Sequence, residues 1–135
     1  MLGDLVIEER GQITTMRVLP GDGQQPQVEV SFQAAGKALG MDHVNRGTYT
    51  SMMRPDGTLI GEGQGIVMTA TGERATWRGQ GVGRFTGRGT GVSWRGALYL
   101  FSPSEKLSRL NGIALVYEHE ADENGNIQDK LWEWK

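Results

Sequence analysis

The chain contains no cysteine and only four prolines. The absence of cysteine excludes disulfide bonds, thiolate metal sites and cysteine nucleophiles, and it fits a reducing compartment. The first residues include acidic side chains where a secretory signal needs an apolar core, and no stretch approaches the roughly 18 apolar residues of a membrane span. We therefore expect a cytoplasmic protein with no membrane partner.

Neither sign of charge dominates, since 14 Lys and Arg residues stand against 16 Asp and Glu, a formal net charge of −2. Such a balance offers no basic surface for nucleic acid. The length of 135 residues predicts a single domain over residues 1–135. A chain of this size buries roughly 68% of its unfolded surface without disulfide or metal staples.

Glycine is abundant instead, with 21 residues, many of them at alternate positions. The alternating runs are Gly61, Gly63 and Gly65, then Gly79, Gly81 and Gly83, then Gly87, Gly89 and Gly91. Period two is the period of a β-strand, so each run removes the side chains from one face of a strand. Glycine in a strand indicates a bend, a close backbone approach or open space, and closed barrels use all three.

Eight strands are predicted, and the turn residues between them leave no room for helical crossovers. The predicted strands are Asp4–Leu19, Gln27–Leu39, Val44–Arg54, Thr58–Thr69, Arg74–Gly87, Gly89–Phe101, Gly112–Asp122 and Ile127–Trp134. Consecutive strands with short links are antiparallel. We therefore predict an all-β fold, a single closed antiparallel eight-stranded barrel with a possible interior cavity.

One segment, residues 103–110, shows helical signals instead. Ser102 is a suitable N-cap and Pro103 suits the first helical position. Leu107 and Leu110 would then share one face of the helix. We expect a helix of about two turns over Pro103–Leu110, with its leucines closing one end of the barrel.

The hairpin around Gly87-Arg88 predicts which side chains point inward. A two-residue turn there would pair Trp77 with Leu98 and Gly81 with Trp94. The face with these aromatic and apolar residues is expected inside, because charged side chains are rarely buried unpaired. The opposite face, expected in water, carries Arg78, Gln80, Arg84, Ser93 and Arg95.

The last hairpin supports the same arrangement. A type I′ turn at Asn124-Gly125 would pair Tyr117 with Trp132 and His119 with Lys130, so Tyr117, Trp132 and His119 would face inward. The outward face would then carry Glu118, Glu120, Asp129 and Glu133. The alternative, in which arginines and carboxylates pair across the lumen, stays open at this point.

Two polar residues are placed by their turns. A two-residue turn at Thr71-Gly72 would point Glu62 into the barrel, whereas a loop longer by one residue would leave it on the surface. His43 follows Asp42 near a predicted turn, and we expect it on the solvated surface. His119 is the better candidate for a histidine in the lumen.

No cofactor motif is present. A phosphate loop needs a strand followed by a helix N-terminus, and neither of the first two glycine runs precedes a helix signal. Two histidines without convergent partners do not make a metal site. We therefore expect no metal and no cofactor.

Three stretches resemble the allene oxide cyclase/dirigent barrel superfamily, and in particular its small uncharacterised bacterial members. They are Gly61–Thr69, with its glycine-interrupted strand, Gly81–Gly87 and the Leu-x-x-Leu-x-Gly segment within Leu107–Ala114. The resemblance implies an eight-stranded antiparallel barrel, often oligomeric, whose apolar lumen hosts cyclisation or steers reactive hydrophobic intermediates. No catalytic residue of those enzymes aligns with this chain.

Three functions follow as hypotheses. The first is binding of a small apolar or aromatic ligand in the lumen, with walls formed by Trp77, Trp94, Tyr117 and Trp132. The second is a cofactor-independent cyclase or isomerase using Glu62, Tyr117 or His119 as acid/base or hydrogen-bonding groups. The third is a non-catalytic homo-oligomer in which oppositely charged outer faces meet.

Overall fold

The computed structural model describes all of residues 1–135 and is almost entirely β-strand. The strands are β1 (Leu2–Leu19), β2 (Gln27–Ala38), β3 (Met41–Met53), β4 (Leu59–Thr69), β5 (Arg74–Phe85), β6 (Val92–Phe101), β7 (Ala114–Ala121) and β8 (Asn126–Trp134). They pair antiparallel in chain order, and β1 also pairs with β8. The predicted closed eight-stranded barrel is confirmed.

The helical segment is a 3₁₀ helix over Glu105–Leu110, shorter and tighter than the predicted helix. Its N-cap is Ser104 rather than Ser102, whose hydroxyl accepts a hydrogen bond from the Ser104 backbone N–H at 3.1 Å and donates to the Arg74 carbonyl oxygen at 2.6 Å. Leu107 and Leu110 are each 1% exposed and join the main hydrophobic core, as expected. No helix of the structure is long and apolar enough to cross a membrane.

Three hairpins share a three-residue loop that ends on a glycine with positive φ. These glycines are Gly57, Gly72 and Gly125, with φ of 85°, 92° and 83°. In the last loop the Asp122 carboxylate also accepts hydrogen bonds from the backbone N–H groups of Asn124 and Asn126, both at 2.9 Å. A three-residue loop shifts the pairing by one residue relative to a two-residue turn, which exchanges the faces of one strand.

This shift corrects the predicted register of β7 and β8. Tyr117 pairs with Leu131 rather than Trp132, and His119 pairs with Asp129 rather than Lys130. The faces of β8 are therefore exchanged, so Asp129 and Glu133 are buried inside the barrel, 5% and 7% exposed. Trp132 instead shares the outer face with its pairing partner, Val116, and is half-buried there.

The β5–β6 hairpin has a longer connection than predicted. β5 ends at Phe85 and β6 begins at Val92, so the third glycine run lies in the turn, with positive φ at Gly87 and Gly89. Trp77 pairs with Leu100 instead of Leu98. A shift of two residues keeps the same faces, because side chains alternate with period two. Trp77 therefore remains inside, as expected.

The glycines of β4 and β5 make room for aromatic rings. A Cβ on Gly65 would lie 2.2 Å from Nε1 of Trp77, and a Cβ on Gly81 would lie 2.2 Å from the Tyr117 hydroxyl. The inward-facing glycines thus let rings from other strands lie against bare backbone. Much of the space left open by the glycine pattern is filled by these aromatic side chains.

Candidate functional site

The centre of the barrel holds a buried carboxyl group, that of Glu9. β1 alternates so that Glu9 shares the inward face with Ile7, and Glu9 is only 2% exposed. Its Oε1 is 2.8 Å from Nε2 of His43, and its Oε2 accepts a hydrogen bond from Nδ2 of Asn45 at 2.9 Å. Asn45 in turn accepts a hydrogen bond from Nε1 of Trp77 at 2.9 Å. The carboxyl group is therefore held in one orientation.

Gly36 makes the contact between Glu9 and His43 possible. It lies on β2, paired with Glu9 on one side and with His43 on the other. A Cβ on Gly36 would lie 2.0 Å from the carbonyl oxygen of Glu8, closer than any real contact. Because this position has no side chain, His43 reaches across β2 to Glu9.

Asp129 continues the polar row on the other side of Glu9. The two residues pair across β1 and β8, and Asp129 lies close enough to raise the pKa of the Glu9 carboxyl. Two adjacent carboxyl groups can share a hydrogen bond only when one of them carries a proton. Asp129 also hydrogen bonds through Oδ1 to Nδ1 of His119, its pairing partner on β7. A row of four titratable groups thus runs from His43 to His119.

This environment raises the pKa of Glu9 to about 7 from an ordinary value of 4.5. Burial is the main cause, because removal from water disfavours the charged form, and Asp129 adds to the effect by hydrogen bonding and by its negative charge. The hydrogen bonds from His43 and Asn45 act in the opposite direction and only partly offset it. At neutral pH Glu9 therefore carries a proton in a substantial fraction of molecules.

A cavity of about 70 Å³ lies beside this row. Its lining includes Ile7, Glu9, Phe32, Asn45, Tyr49, Val67, Trp77, Trp94, Leu98, Leu100, Tyr117, His119, Asp129 and Leu131, together with several glycines. It is a mostly apolar chamber with one polar wall.

His119 lines this chamber and has one ring nitrogen without a hydrogen-bond partner. It is 8% exposed, and its Nε2 is buried without a hydrogen-bond partner. Nδ1 is held by the Asp129 carboxylate, an acceptor, so Nδ1 carries the hydrogen and neutral His119 leaves Nε2 as a bare acceptor. The imidazole ring packs against both Phe32 and Tyr49, with centroids 5.5 and 5.8 Å away. A buried polar atom without a partner is costly, which points to a group that binds it.

The two tyrosines of the cavity differ in their hydrogen bonding. Tyr117 donates to the backbone carbonyl oxygen of Gln80 at 3.2 Å, and burial raises its pKa to about 12. Tyr49 has no hydrogen bond to another residue, and burial together with the charge of Asp129 raises its pKa further. Tyr49 is therefore a neutral O–H donor without a partner beside His119.

The structure brings together five of the residues selected from sequence. Trp77, Trp94, Tyr117, His119 and Glu62 all line the cavity, although the Glu62 side chain points outward. Trp132 does not, because the one-residue register shift turns β8 and places it outside.

Glu62 is exposed, and it pairs with Gln80 on the outward face because the loop before β5 has three residues. Of the two positions that the sequence allows for Glu62, inside the barrel or on its surface, the side chain takes the one on the surface. Its neighbours Gly61 and Gly63 supply the inward side of β4 at this level.

His43 was wrongly expected at the surface; it is 4% exposed and bound to Glu9. Glu9, Asn45 and Asp129 were missed as site residues. The signal that reveals them is alternation: Ile127, Asp129 and Leu131 share one face of β8, so an acid stands within an apolar stripe. In the same way Glu9 follows Ile7 by two residues.

The outward carboxylates adopt an ordinary surface arrangement. Glu118 and Glu120 form ion pairs with Arg95, at 3.7 and 2.6 Å, across β6 and β7. No group of three or more histidine, aspartate or glutamate side chains is arranged to hold a metal ion. The polar row consists instead of histidine–carboxylate pairs, each closed by its own hydrogen bond.

Solved structures share this architecture. A protein of unknown function from Clostridium acetobutylicum superposes with a TM-score of 0.82 at 11% identity, covering 96% of both chains. A conserved protein of unknown function from Rhodopseudomonas palustris gives 0.80 at 12% identity, covering 99% of both chains. An enzyme from Penicillium herquei gives 0.63 at 14% identity, covering 96% of both chains. These likenesses show the fold alone.

Comparison by sequence adds no relative, since no protein-family model and no curated protein matches the chain.

Proposed function

We propose that the barrel binds a compact apolar molecule carrying one hydrogen-bond donor, with the donor directed at Nε2 of His119. The supporting observation is the combination of a mostly apolar cavity with a buried acceptor that has no partner in the protein. Pockets of this kind bind through their apolar walls and gain orientation from a few polar groups. Trp77, Trp94 and Tyr117 supply the aromatic walls.

The volume of the cavity limits the size of the ligand. An engineered cavity that accepts benzene measures roughly 150 Å³, about twice the present one. By this comparison a cavity of about 70 Å³ holds about three non-hydrogen atoms as it stands, far fewer than a fatty acid or polyketide has. A ligand of six non-hydrogen atoms requires Trp94 or Tyr49, whose rings pack edge to face at 5.7 Å, to move apart.

The test compares two ligands of one shape. Cyclopentanol and methylcyclopentane have the same number of non-hydrogen atoms, and only the alcohol can donate to His119. We expect tryptophan fluorescence to report saturable binding of cyclopentanol, since Trp77 and Trp94 line the cavity. A net hydrogen bond of about 1 kcal/mol predicts a preference of roughly five- to tenfold over methylcyclopentane.

The matched variant is His119→Asn. Its amide nitrogen takes the place of Nδ1 and can still donate to Asp129, while the position of Nε2 is left empty. The variant should lose the preference for cyclopentanol and bind it no better than methylcyclopentane, because the buried hydroxyl then has no partner. Equal affinity in the unmodified protein, or no saturable binding of either compound, would contradict the proposal.

Membership of the allene oxide cyclase/dirigent superfamily and a cytoplasmic location remain proposals. The barrel topology and the enzyme with a related fold are compatible with the first. Under the ligand-binding proposal the function resides in the lumen of the barrel rather than on its charged outer surface.

Self-association is a second candidate function, supported by exposed apolar side chains on the outer faces of β4 and β6. Ile66, Met68, Tyr99 and Phe101 are between 46% and 62% exposed, on either side of the outward-facing Arg74, Thr76 and Arg78 of β5. The oppositely charged groups pair within one chain instead, as Arg95 does with Glu118 and Glu120. We expect any homo-oligomer to bury the apolar surface and to be insensitive to salt. Light scattering with Phe101→Glu tests this, because that variant should be monomeric at concentrations where the unmodified chain associates.

A further inference from the structure

The cavity contains two unpartnered groups of complementary chemistry. Nε2 of His119 is a buried acceptor held in place through Nδ1 by Asp129. The Tyr49 hydroxyl is a donor with no partner in the protein, and its ring meets the His119 ring edge to face at 5.8 Å between centroids. A base and a neutral hydrogen-bond donor therefore share one apolar cavity.

We propose that the barrel is a cofactor-independent proton-transfer enzyme acting on small enolisable ketones or aldehydes, with His119 as the base and Tyr49 as the donor to the carbonyl oxygen. This inference rests on the proposed function, since it requires the same cavity to bind the substrate. Its substrates are carbonyl compounds of at most about six non-hydrogen atoms, and the largest of them require Trp94 or Tyr49 to move.

The step balances without any co-reactant. Nε2 of His119 takes the proton from the carbon next to the carbonyl group, and the C–H electron pair becomes the C=C bond of an enolate. The carbonyl π electrons move to oxygen, where the Tyr49 O–H donates a hydrogen bond to the negative charge. The proton on Nε2 then passes to the γ carbon of a β,γ-unsaturated ketone, which moves the double bond, or it is first replaced by a solvent deuteron that is delivered to the original carbon, which gives exchange.

Asp129 acts as a positioning residue in this step. Its carboxylate holds Nδ1–H of His119 and stabilises the imidazolium that forms when Nε2 takes a proton. Glu9 holds Asp129 from the other side, and His43 with Asn45 holds Glu9. The row of polar groups thus fixes the base in a site from which water is largely excluded, where such electrostatic support is strong.

The experiment measures hydrogen–deuterium exchange at the α carbons of cyclopentanone in D₂O by proton NMR. Cyclopentanone has six non-hydrogen atoms and needs no other reagent. We expect saturable exchange above the buffer rate with the unmodified protein. We expect His119→Asn to return the rate to background and Tyr49→Phe to lower it by roughly a hundredfold, the usual cost of losing an oxyanion donor.

The Asp129→Asn variant tests the negative charge of Asp129 separately from its hydrogen bonds. The asparagine can donate its NH₂ to Glu9 and accept from Nδ1 of His119, so both hydrogen bonds are kept while the negative charge is lost. We expect cyclopentanol binding to be retained and kcat for exchange to fall about a hundredfold or more with KM little changed. The control is Glu118→Gln, on the outer face one residue from His119, which should exchange cyclopentanone at the unmodified rate.

The outcomes separate the two proposals. Binding of cyclopentanol without exchange of cyclopentanone overturns the enzymatic inference and leaves the binding function standing. Exchange that persists at the full rate in His119→Asn or Asp129→Asn also overturns it. Absence of cyclopentanol binding removes the proposed function, and exchange in that case would have to arise outside this cavity.

Discussion

Replacing Glu9 by glutamine should change how stability depends on pH. The pKa of Glu9 is about 7 in the folded barrel against 4.5 as its ordinary value. Between these two values the folded chain binds more protons than the unfolded chain, so the free energy of unfolding falls as pH rises. At 1.36 kcal/mol for each pH unit of difference, the total loss is about 3 kcal/mol.

The loss occupies a defined window of pH. The contribution of Glu9 to the free energy of unfolding is largest below pH 4.5. It declines between about pH 4.5 and 7 and is constant at higher pH. A loss of about 3 kcal/mol is a large part of the 5–15 kcal/mol that typical domains have. Urea unfolding followed by tryptophan fluorescence from pH 5 to 8 measures it directly.

Glu9→Gln should lack this decline, because glutamine does not titrate and can still donate to Asp129. The matched control is Glu8→Gln, on the adjacent outward position, whose carboxylate lies 3.7 Å from Nζ of Lys130. That variant should keep the decline. If the unmodified protein shows a flat or rising profile over this range, or if Glu9→Gln declines as steeply, then Glu9 does not have the raised pKa on which the reasoning depends.

Other substitutions test the packing of the barrel. Gly36→Ala should cost about 3 kcal/mol or more, because its Cβ would lie 2.0 Å from a backbone oxygen, whereas Gly23→Ala, with open space around it, should be close to neutral in the same urea titration. Leu107→Ala should cost about 2–5 kcal/mol, since this side chain is 1% exposed in the core; a cost below 1 kcal/mol would mean that the 3₁₀ helix does not close the barrel. Trp132→Phe should leave the affinity for cyclopentanol unchanged, because Trp132 faces outward, and a marked loss of affinity would contradict the observed register of β8.

The barrel itself could be predicted because strand periodicity and turn residues are local signals. The alternating glycines from Gly61 to Gly83 predict two strands. Only the three-dimensional packing shows why glycine is needed at these positions. A Cβ at Gly65 or Gly81 would collide with a ring carried by another residue, Trp77 or Tyr117. Sequence spacing shows that a face is bare and does not show which side chain covers it.

The polar half of the site could not be predicted because one loop length decided it. Asp122 accepts two backbone hydrogen bonds in the last hairpin and stabilises a three-residue loop in place of the expected two-residue turn. The one additional loop residue shifts the register of β8. This shift turns the Asp129 side chain into the barrel and the Trp132 side chain out of it. Similarly, His43 reaches Glu9 only because Gly36, from a third strand, has no side chain between them.

The most direct test of the central claim is the tautomeric state of His119, read from long-range ¹H–¹⁵N NMR correlations of the imidazole ring, with His119→Asn for assignment. The structure predicts that neutral His119 carries its hydrogen on Nδ1, bound to Asp129, and that the Nε2 resonance shifts when cyclopentanol is added but not when methylcyclopentane is added. A hydrogen on Nε2 in the neutral ring, or an Nε2 resonance unmoved by saturating cyclopentanol, would contradict it.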